Sequence, residues 1–320
     1  MSIIKPKILY KYRALSPLTE QIIENKQVWL SKLEDLNDPF EGSVANYSMQ
    51  IRTQMIRHYR HMQIMSFVVK GDMAHQQGRS FFGLNGRILK SYLKRFKTKS
   101  LDRQYYMMNL LVNQNHGINF SKPEELLKSF EDRLKNVGVF SMSEDSTNQL
   151  MWAHYADESR GLALGFSVEK GNRLADDNHC LPITYSDVVP TFKSEDLNCH
   201  WQYSYENGKM KIGVEVPFDD PLFKKVVLTK SKEWQYECEW RYYEEFSGLH
   251  DYPGKLHEII FGLRCPENEK KKYRRLVENK FDYPIKFYQI RKMRDSSQFE
   301  KELLLSAKNQ MNIKNLPQCR

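Results

Sequence analysis

The sequence has few cysteines and no long apolar run. Its five cysteines are scattered through 320 residues, and an odd number at wide spacing argues against a disulfide scaffold. No apolar run approaches the roughly 18 to 20 residues that a membrane helix needs. The N-terminal segment, Met1 to Ala14, lacks the apolar block of a signal peptide. We therefore expect a protein of the reducing cytoplasm without a membrane segment.

Several motifs with familiar chemistry are also missing. Neither the G-x-x-x-x-G-K nor the G-x-G-x-x-G phosphate loop occurs. No C-x-x-C pair is present, so we predict no metal site. Ser141 and Ser143 are not framed by G-x-S-x-G, which argues against serine-hydrolase chemistry.

The composition is typical of a folded protein. Apolar residues make up 40% and charged residues 28%, with 17 Phe and 18 Tyr, enough to build a packed core. Many short strands with few long crossover helices favour an α+β fold with a mixed or antiparallel sheet. The predicted strands are Ile8 to Tyr12, Val28 to Ser31, Val137 to Met142, Gly161 to Val168, Leu181 to Tyr185, Val226 to Leu228, Glu239 to Glu245, Leu256 to Phe261 and Ile285 to Ile290.

Helices are predicted by capping residues and by apolar spacing. Ser16 followed by Pro17 starts one helix, and Ser146 or Thr147 caps a short one that carries Trp152. A third helix is predicted from Glu267 to Lys280. Residues 49–133 have few glycines and helix-compatible spacing. We interpret them as a helical insertion in a single α+β domain spanning residues 1–320.

Four clusters mix polar groups with large aromatic side chains, a composition that packing alone does not require. They are Leu9 to Arg13, Leu36 to Gly42, Phe140 to Glu144 with Met151 to Tyr155 and Arg160-Gly161, and the set Lys230, Trp234, Glu237, Glu239, Trp240 and Arg241. These clusters are our candidates for the functional site.

The last cluster has a strand-like spacing of two. On a strand, Glu237, Glu239 and Arg241 share one face, and Cys238 and Trp240 share the other. Two carboxylates and a guanidinium on one face can form the wall of a polar pocket. They can equally form a structural ion-pair network, and the sequence leaves both interpretations open.

The Asn37-Asp38-Pro39 segment has two interpretations as well. Asn and Asp side chains cap turns and proline fixes the backbone, so a rigid turn is one of them. Contact with a ligand is the other.

Four segments carry a resemblance to a known family. They are LYKYRAL, VWLSKLEDLNDPFEG, FSMSEDSTNQLMWAHYADESRGLALGF and KSKEWQYECEWRYY. Together they resemble a bacterial domain-of-unknown-function family, number twenty-nine seventy-one. The resemblance implies a soluble bacterial protein and supplies no reaction.

The layout is also similar to that of ADP-ribosyltransferase toxins. These enzymes present an aromatic residue, His or Arg on a first strand, Ser or Tyr on a middle strand and a catalytic Glu on a late strand. The same order occurs here in Tyr10, Tyr12 and Arg13, then Ser141 and Ser143, then Glu237 and Glu239.

This likeness implies that NAD is the substrate. Glu237 or Glu239 would bond a ribose hydroxyl and stabilise an oxocarbenium-like transition state. The residues expected to contact NAD are Tyr10, Tyr12, Arg13, Asn37, Asp38, Ser141, Ser143, Trp152, Tyr155 and Arg241.

Two hypotheses follow for the function. The first is an NAD-utilising, ADP-ribosyltransferase-like effector of phage defence or of a toxin system. The second is a non-enzymatic module that senses a nucleotide or nucleic acid. The whole chain has a net charge of +9, and seven of its Lys and Arg residues lie within residues 87–103. That basic stretch is either a solvated helix face or a contact for a phosphate-rich partner.

Overall fold

The computed structural model describes residues 4–43, 49–120, 123–191, 200–206 and 209–304. The chain forms two compact units, each assembled from separate segments. The first, here called the sheet unit, comprises residues 1–41, 136–188 and 228–320. The second, the helical unit, comprises residues 42–135 and 189–227. The expected insertion 49–133 thus falls in the helical unit, together with a later segment.

An eight-stranded sheet organises the sheet unit. With strands numbered along the whole chain, its order is β15-β14-β13-β5-β1-β4-β11-β6, and only the β13–β14 pair is parallel among these neighbours. The α+β class with a mixed, mostly antiparallel sheet is therefore confirmed. The strands are β1 Ile8–Arg13, β4 Gly138–Ser143, β5 Leu162–Ser167, β6 Cys180–Pro182, β11 Glu239–Glu244, β13 Leu256–Phe261, β14 Lys286–Lys292 and β15 Phe299–Leu303.

Smaller elements surround this sheet. Strand β12 pairs with β2 and β10 pairs with β7, each as a two-stranded ladder. Their bounds are β2 Gln27–Leu30, β7 Thr184–Tyr185, β10 Thr229–Lys230 and β12 Gly248–Asp251, and the helices of the unit are α1 Pro17–Asn25, α6 Gln149–Tyr155 and α8 Glu267–Lys280.

Alternating side chains bury both faces of the sheet. One core contains Leu9, Phe140, Met142, Phe166 and Trp240. The opposite core contains Tyr10, Tyr12, Trp152, Ala163 and Ile260. Successive strand residues point to opposite faces, so a sheet covered on both sides needs apolar groups at neighbouring positions.

Strands β1 and β4 diverge in the middle of this sheet. Each is fully paired on its outer side, β1 with β5 and β4 with β11. Between them, only Tyr10 and Ser143 are in register. Beyond that point the Nζ of Lys11 donates to the Ser141 carbonyl at 2.8 Å. The result is a gap between two central strands.

Local sequence signals explain α1 and correct the start of α6. Ser16 Oγ accepts from Thr19 N at 3.2 Å, and Pro17 opens α1 as predicted. The cap of α6 is Asn148, whose Oδ1 accepts from Leu150 N and Met151 N. The predicted caps Ser146 and Thr147 were wrong because Thr147 instead bonds Asp145 through its backbone N and its hydroxyl.

Two strand predictions needed correction. Residues 226 and 227 end a helix, not a strand, because Asp220 Oδ1 caps Phe223 N at 2.8 Å. The predicted strand Leu181 to Tyr185 is two short strands, because Cys180–Pro182 pairs with β11 whereas Thr184–Tyr185 pairs with β10, where Thr184 N bonds the Leu228 carbonyl.

The helical unit packs around its own apolar core. Ile64, Phe67, Leu93, Phe96 and Met108 are buried there. No helix in the described part of the chain is long and apolar enough to cross a membrane. The elements of this unit are α2 Met49–Gln76, α3 Gly86–Lys97, α4 Leu101–His116, β3 Asn119–Phe120, α5 Pro123–Asn136, β8 His200–Glu206, β9 Lys209–Glu215 and α7 Pro221–Val227.

Candidate functional site

A cavity of about 680 Å³ opens in the sheet unit at the gap between β1 and β4. Its wall includes residues from both faces of β1, such as Tyr10 and Lys11, because the two strands separate there. Its volume lies in the usual range for small-molecule sites. Nine of the predicted site residues line it, namely Tyr10, Tyr12, Arg13, Asn37, Ser141, Ser143, Tyr155, Glu237 and Glu239.

Three other predicted residues lie behind this wall. Trp152 is fully buried, packs edge-on against the Tyr12 ring and donates to the Ser146 carbonyl at 2.9 Å. Asp38 is a buried turn residue that accepts from Phe40 N at 2.9 Å and from Ser231 Oγ at 2.9 Å. Arg241 is also fully buried. These residues support the cavity without lining it.

A buried cluster of charges forms one end of the cavity, here called the acidic floor. It consists of the carboxylates of Glu41, Glu237 and Glu239 with the cations of Lys230 and Arg241. The Lys230 Nζ lies 2.6 Å from Glu237 Oε2, 3.1 Å from Glu239 Oε2 and 3.4 Å from Glu41 Oε1. The Arg241 Nη2 lies 2.7 Å from Glu41 Oε2 and 2.8 Å from Glu239 Oε1. Each carboxylate therefore has a cation.

The electrostatics of the floor follow from this pairing. Burial alone would raise the pKa of Glu239, but Arg241 and Lys230 hold that pKa below its ordinary value. Burial lowers the pKa of Lys230, yet Glu239 and Glu237 outweigh it and the net shift is upward. For Glu41, burial prevails over the attraction of Arg241 and the pKa is raised.

Glu237 reaches the floor by a different route from the one predicted. It ends a 3-10 helix of residues 232–237, and Cys238 adopts a left-handed backbone with φ of 44° before β11 begins. The shared strand face therefore holds for Glu239 and Arg241 but not for Glu237. The turn is fixed by the Ser143 hydroxyl, which donates to the Glu237 carbonyl at 2.7 Å.

The Glu237 carboxylate oxygen that does not face Lys230 accepts a hydrogen bond from a tyrosine hydroxyl. Tyr155 donates a short hydrogen bond to Glu237 Oε1, and Asn37 Nδ2 donates to the Tyr155 hydroxyl at 2.9 Å. Burial, followed by the bond to Glu237, raises the pKa of Tyr155, so the phenol stays protonated. The Glu237 carboxylate is thus arranged to accept from an alcohol on the cavity side.

Strand β1 supplies two further cations, Lys11 and Arg13, which we call the β1 cations. They are two residues apart and lie on the same side of the strand. Lys11 bonds the Ser141 carbonyl and lies over the Phe140 ring at 4.8 Å. The Arg13 side chain has neither a hydrogen bond nor an ion pair with any residue that the structure describes. Burial lowers the pKa of Arg13 and, with help from Arg13, lowers that of Lys11 to about 8.

The end of β1 is held by a glycine. A Cβ on Gly161 would lie 2.1 Å from the Arg13 carbonyl, so a side chain cannot be accommodated there without moving the backbone. Gly161 thereby lets the loop after α6 approach the strand that carries Arg13.

Among the lining residues that sequence reasoning did not assign to the site are Glu41, Lys230, Lys11 and Trp29. Glu41 and Lys230 belong to two of the four sequence clusters. The signal that could have marked each of them is a charged side chain close to aromatic residues, a carboxylate in Glu41 and an ammonium in Lys230. Lys11 alternates with the tyrosines of β1. Trp29 lies between Val28 and Leu30, which are completely buried, so strand alternation turns Trp29 away from the core.

Comparison with known proteins supports the family resemblance. A family model described as a protein of unknown function, DUF2971, matches residues 151–242. That segment includes most of α6, all of β5 and the Lys230-to-Arg241 cluster, so the resemblance drawn from those motifs is confirmed over this range. No curated protein and no solved structure matches the chain.

Proposed function

We propose that the protein is an NAD-consuming enzyme of the ADP-ribosyltransferase-like type, with the cavity of the sheet unit as its active site. The observation that carries the proposal is the gap between β1 and β4. One cavity lies around this gap. Its lining includes Tyr10 to Arg13 on β1, Ser141 and Ser143 on β4, Glu237 just before β11 and Glu239 on β11. This is the order of strand residues expected for such an enzyme.

The charges of the wall suit a dinucleotide. The β1 cations have no carboxylate partner among the described residues, whereas every carboxylate of the acidic floor has one. Arg and Lys bind phosphate oxygens through charge-assisted hydrogen bonds. A diphosphate at Lys11 and Arg13 would supply the missing anions, and the rest of the ligand would then extend toward the floor.

Glu237 is the carboxylate best placed for chemistry. Both oxygens of Glu239 are engaged by Arg241 and Lys230, while Glu237 Oε1 accepts, among the described residues, from the hydroxyl of Tyr155 alone. A ribose hydroxyl could replace that phenol. When the bond between ribose C1′ and the nicotinamide nitrogen breaks, nicotinamide leaves with the electron pair and positive charge develops on the ribose. The nearby carboxylate stabilises it until water or a target side chain bonds C1′ and loses a proton.

Release of nicotinamide from NAD tests this proposal. The purified full chain should release nicotinamide, and Glu237→Gln should reduce the rate by about 100-fold or more. Glu233→Gln is the matched control, since Glu233 is exposed on the same 3-10 helix. Thermal melts of both variants separate lost chemistry from lost folding. The proposal fails if the wild type neither releases nicotinamide nor transfers label from NAD to lysate proteins, or if folded Glu237→Gln retains full activity.

A role as an effector in phage defence or in a toxin system belongs to the same proposal. NAD consumption would deprive the producing cell of an essential cofactor. Induced expression of the wild type should therefore arrest bacterial growth and lower cellular NAD, and Glu237→Gln should do neither. Normal growth and normal NAD during wild-type expression would contradict this role.

A second candidate is a nucleic-acid-binding module centred on residues 87–103. Helix α3 buries Leu89, Leu93 and Phe96 and leaves its basic residues exposed. Lys97 pairs with Asp72 at 2.7 Å, and Arg103 lies over the Tyr106 ring at 5.1 Å. The remaining exposed cations favour a phosphate-rich partner.

Binding of labelled RNA and DNA at increasing salt tests the second candidate. The affinity should fall steeply with salt concentration, and Lys90→Gln with Lys94→Gln should weaken it. Absent or salt-insensitive binding would reject this function and leave the enzyme proposal untouched.

A further inference from the structure

Three large apolar side chains that line the cavity are strongly exposed, and we call the part of the wall that they form its mouth. Trp29 is 57% exposed, Leu249 64% and Leu18 65%, and all three line the cavity. Trp29 and Leu249 are directly opposite each other on β2 and β12. Clustered exposed apolar groups around a concavity are typical of binding sites.

The position of Trp29 is set by its neighbours. Val28 and Leu30 are completely buried in the core of the sheet unit. Because side chains alternate along a strand, these two residues turn Trp29 outward toward the cavity. Among the described residues, no other aromatic ring packs against the Trp29 indole. Its face is therefore available to a planar ligand.

Helix α1 brings amide groups to the same place. Leu18, Gln21, Ile22 and Asn25 all line the cavity, and their spacing of three, four and seven puts them on one helix face. Gln27, on the adjacent β2, lines it as well and donates to Asp251 Oδ1 at 3.4 Å. A side-chain amide carries both donors and an acceptor, which is what the hydrogen-bonding edge of a nucleobase requires.

We propose that this mouth is a nucleobase subsite, in which a purine stacks on Trp29 between Leu18 and Leu249 while Gln21 and Asn25 bond its edge. The inference deepens the proposed function, since it assigns the base of the nucleotide to the mouth and its phosphates to Lys11 and Arg13. The groups on the cavity wall therefore match a ligand that has a flat heterocycle with a polar edge at one end and an anion next to it.

Titration calorimetry with AMP and with ribose 5-phosphate tests the subsite. Trp29→Ala should weaken AMP binding by about 5- to 150-fold, the factor that a base–aromatic stack contributes, and Trp29→Phe should restore most of it. Ribose 5-phosphate lacks the base, so Trp29→Ala should leave its weaker binding unchanged. Phe246→Ala is the matched control, because Phe246 is 62% exposed and does not line the cavity.

The outcomes separate this inference from the enzyme proposal. AMP binding that depends on Trp29, without any nicotinamide release from NAD, would keep the subsite and reject the enzyme. Nicotinamide release with an unchanged KM for NAD in Trp29→Ala would keep the enzyme and reject the subsite. Wild-type protein that binds no AMP, or that binds it equally well without Trp29, also overturns the subsite.

Discussion

The two charged ends of the cavity use the same residue types for opposite purposes. At the acidic floor, Lys230 and Arg241 are surrounded by three carboxylates at 2.6 to 3.4 Å. On β1, Lys11 reaches a backbone carbonyl and Arg13 reaches no partner among the described residues. The first arrangement holds elements of the fold together. The second leaves positive charge available for a ligand.

The physical basis of this difference is the cost of burying charge. A buried ion is tolerated when opposite charges and hydrogen bonds compensate its lost hydration. Arg241 meets that condition through Glu41 and Glu239. Lys11 does not, and burial lowers its pKa to about 8. The comparison can be tested by removing charges from each end.

The largest expected effect is at the acidic floor. Arg241→Met should destabilise the protein by about 3–5 kcal/mol, because Glu41 and Glu239 would be left buried with one cation between them. Denaturant unfolding measures the change. Arg173→Met is the control, since Arg173 is 54% exposed in its pair with Glu244 and should cost at most about 1 kcal/mol. Equal losses in the two variants would contradict the difference drawn here.

Asp38 offers a smaller test of the same end. It ties the segment before Glu41 to Ser231, next to Lys230, through two bonds of 3.1 and 2.9 Å. Asp38→Ala should cost about 1–3 kcal/mol, since buried donors lose their acceptor. The exposed Glu34→Ala is the control and should be nearly neutral. A neutral Asp38→Ala would show that the floor does not depend on this segment.

Lys11 gives the β1 end a pH dependence. Its pKa is lowered from 10.5 to about 8 in the folded protein, so between those values the unfolded chain binds more protons than the folded one. Stability should therefore rise with pH from about 8 to 10.5, by up to about 3 kcal/mol, and by less where solvent screens the partly exposed ammonium. Affinity for diphosphate should fall over the same range.

The matched variant for this test is Lys11→Met. Unfolding free energies and diphosphate titrations at pH 7, 8, 9 and 10 should show both slopes in the wild type and neither in Lys11→Met. Identical pH profiles for the two proteins would exclude Lys11 as the group responsible.

The smallest effect on stability is expected for Arg13. Arg13→Met should change the free energy of unfolding by less than about 0.5 kcal/mol, because no ion pair is lost. It should nevertheless weaken diphosphate binding by about tenfold or more, since a charge-assisted hydrogen bond is removed. A large loss of stability with unchanged diphosphate affinity would reverse our assignment of the β1 end.

The local sequence pattern predicts correctly those helices and strands whose capping residues and apolar spacing lie within the element itself. Helix α8 spans Glu267–Lys280 and β13 spans Leu256–Phe261, both as predicted. The common face of Glu239 and Arg241 also follows from strand periodicity alone. By contrast, a short apolar run at Val226 to Leu228 was read as a strand, although Asp220 starts a helix there.

The site was only partly predictable, because its partners come from distant parts of the chain. Asp38 and Ser231 are bonded across 193 positions of sequence, and the approach of Glu41 to Lys230 and Arg241 depends on the same tertiary contact. Nothing local to Glu41 indicates two cations beside it. Likewise, the left-handed Cys238 that redirects Glu237 carries no glycine or asparagine signal.

The separation of β1 from β4 also has a consequence for the motion of the backbone. Central strands of a sheet usually exchange their amide hydrogens with solvent most slowly. In β1 the amides facing β5 are bonded, whereas beyond Tyr10 the edge facing β4 has no residue in register with that strand. Deuterium uptake should therefore alternate between slow and fast along this one strand, and a ligand filling the gap should slow the fast positions.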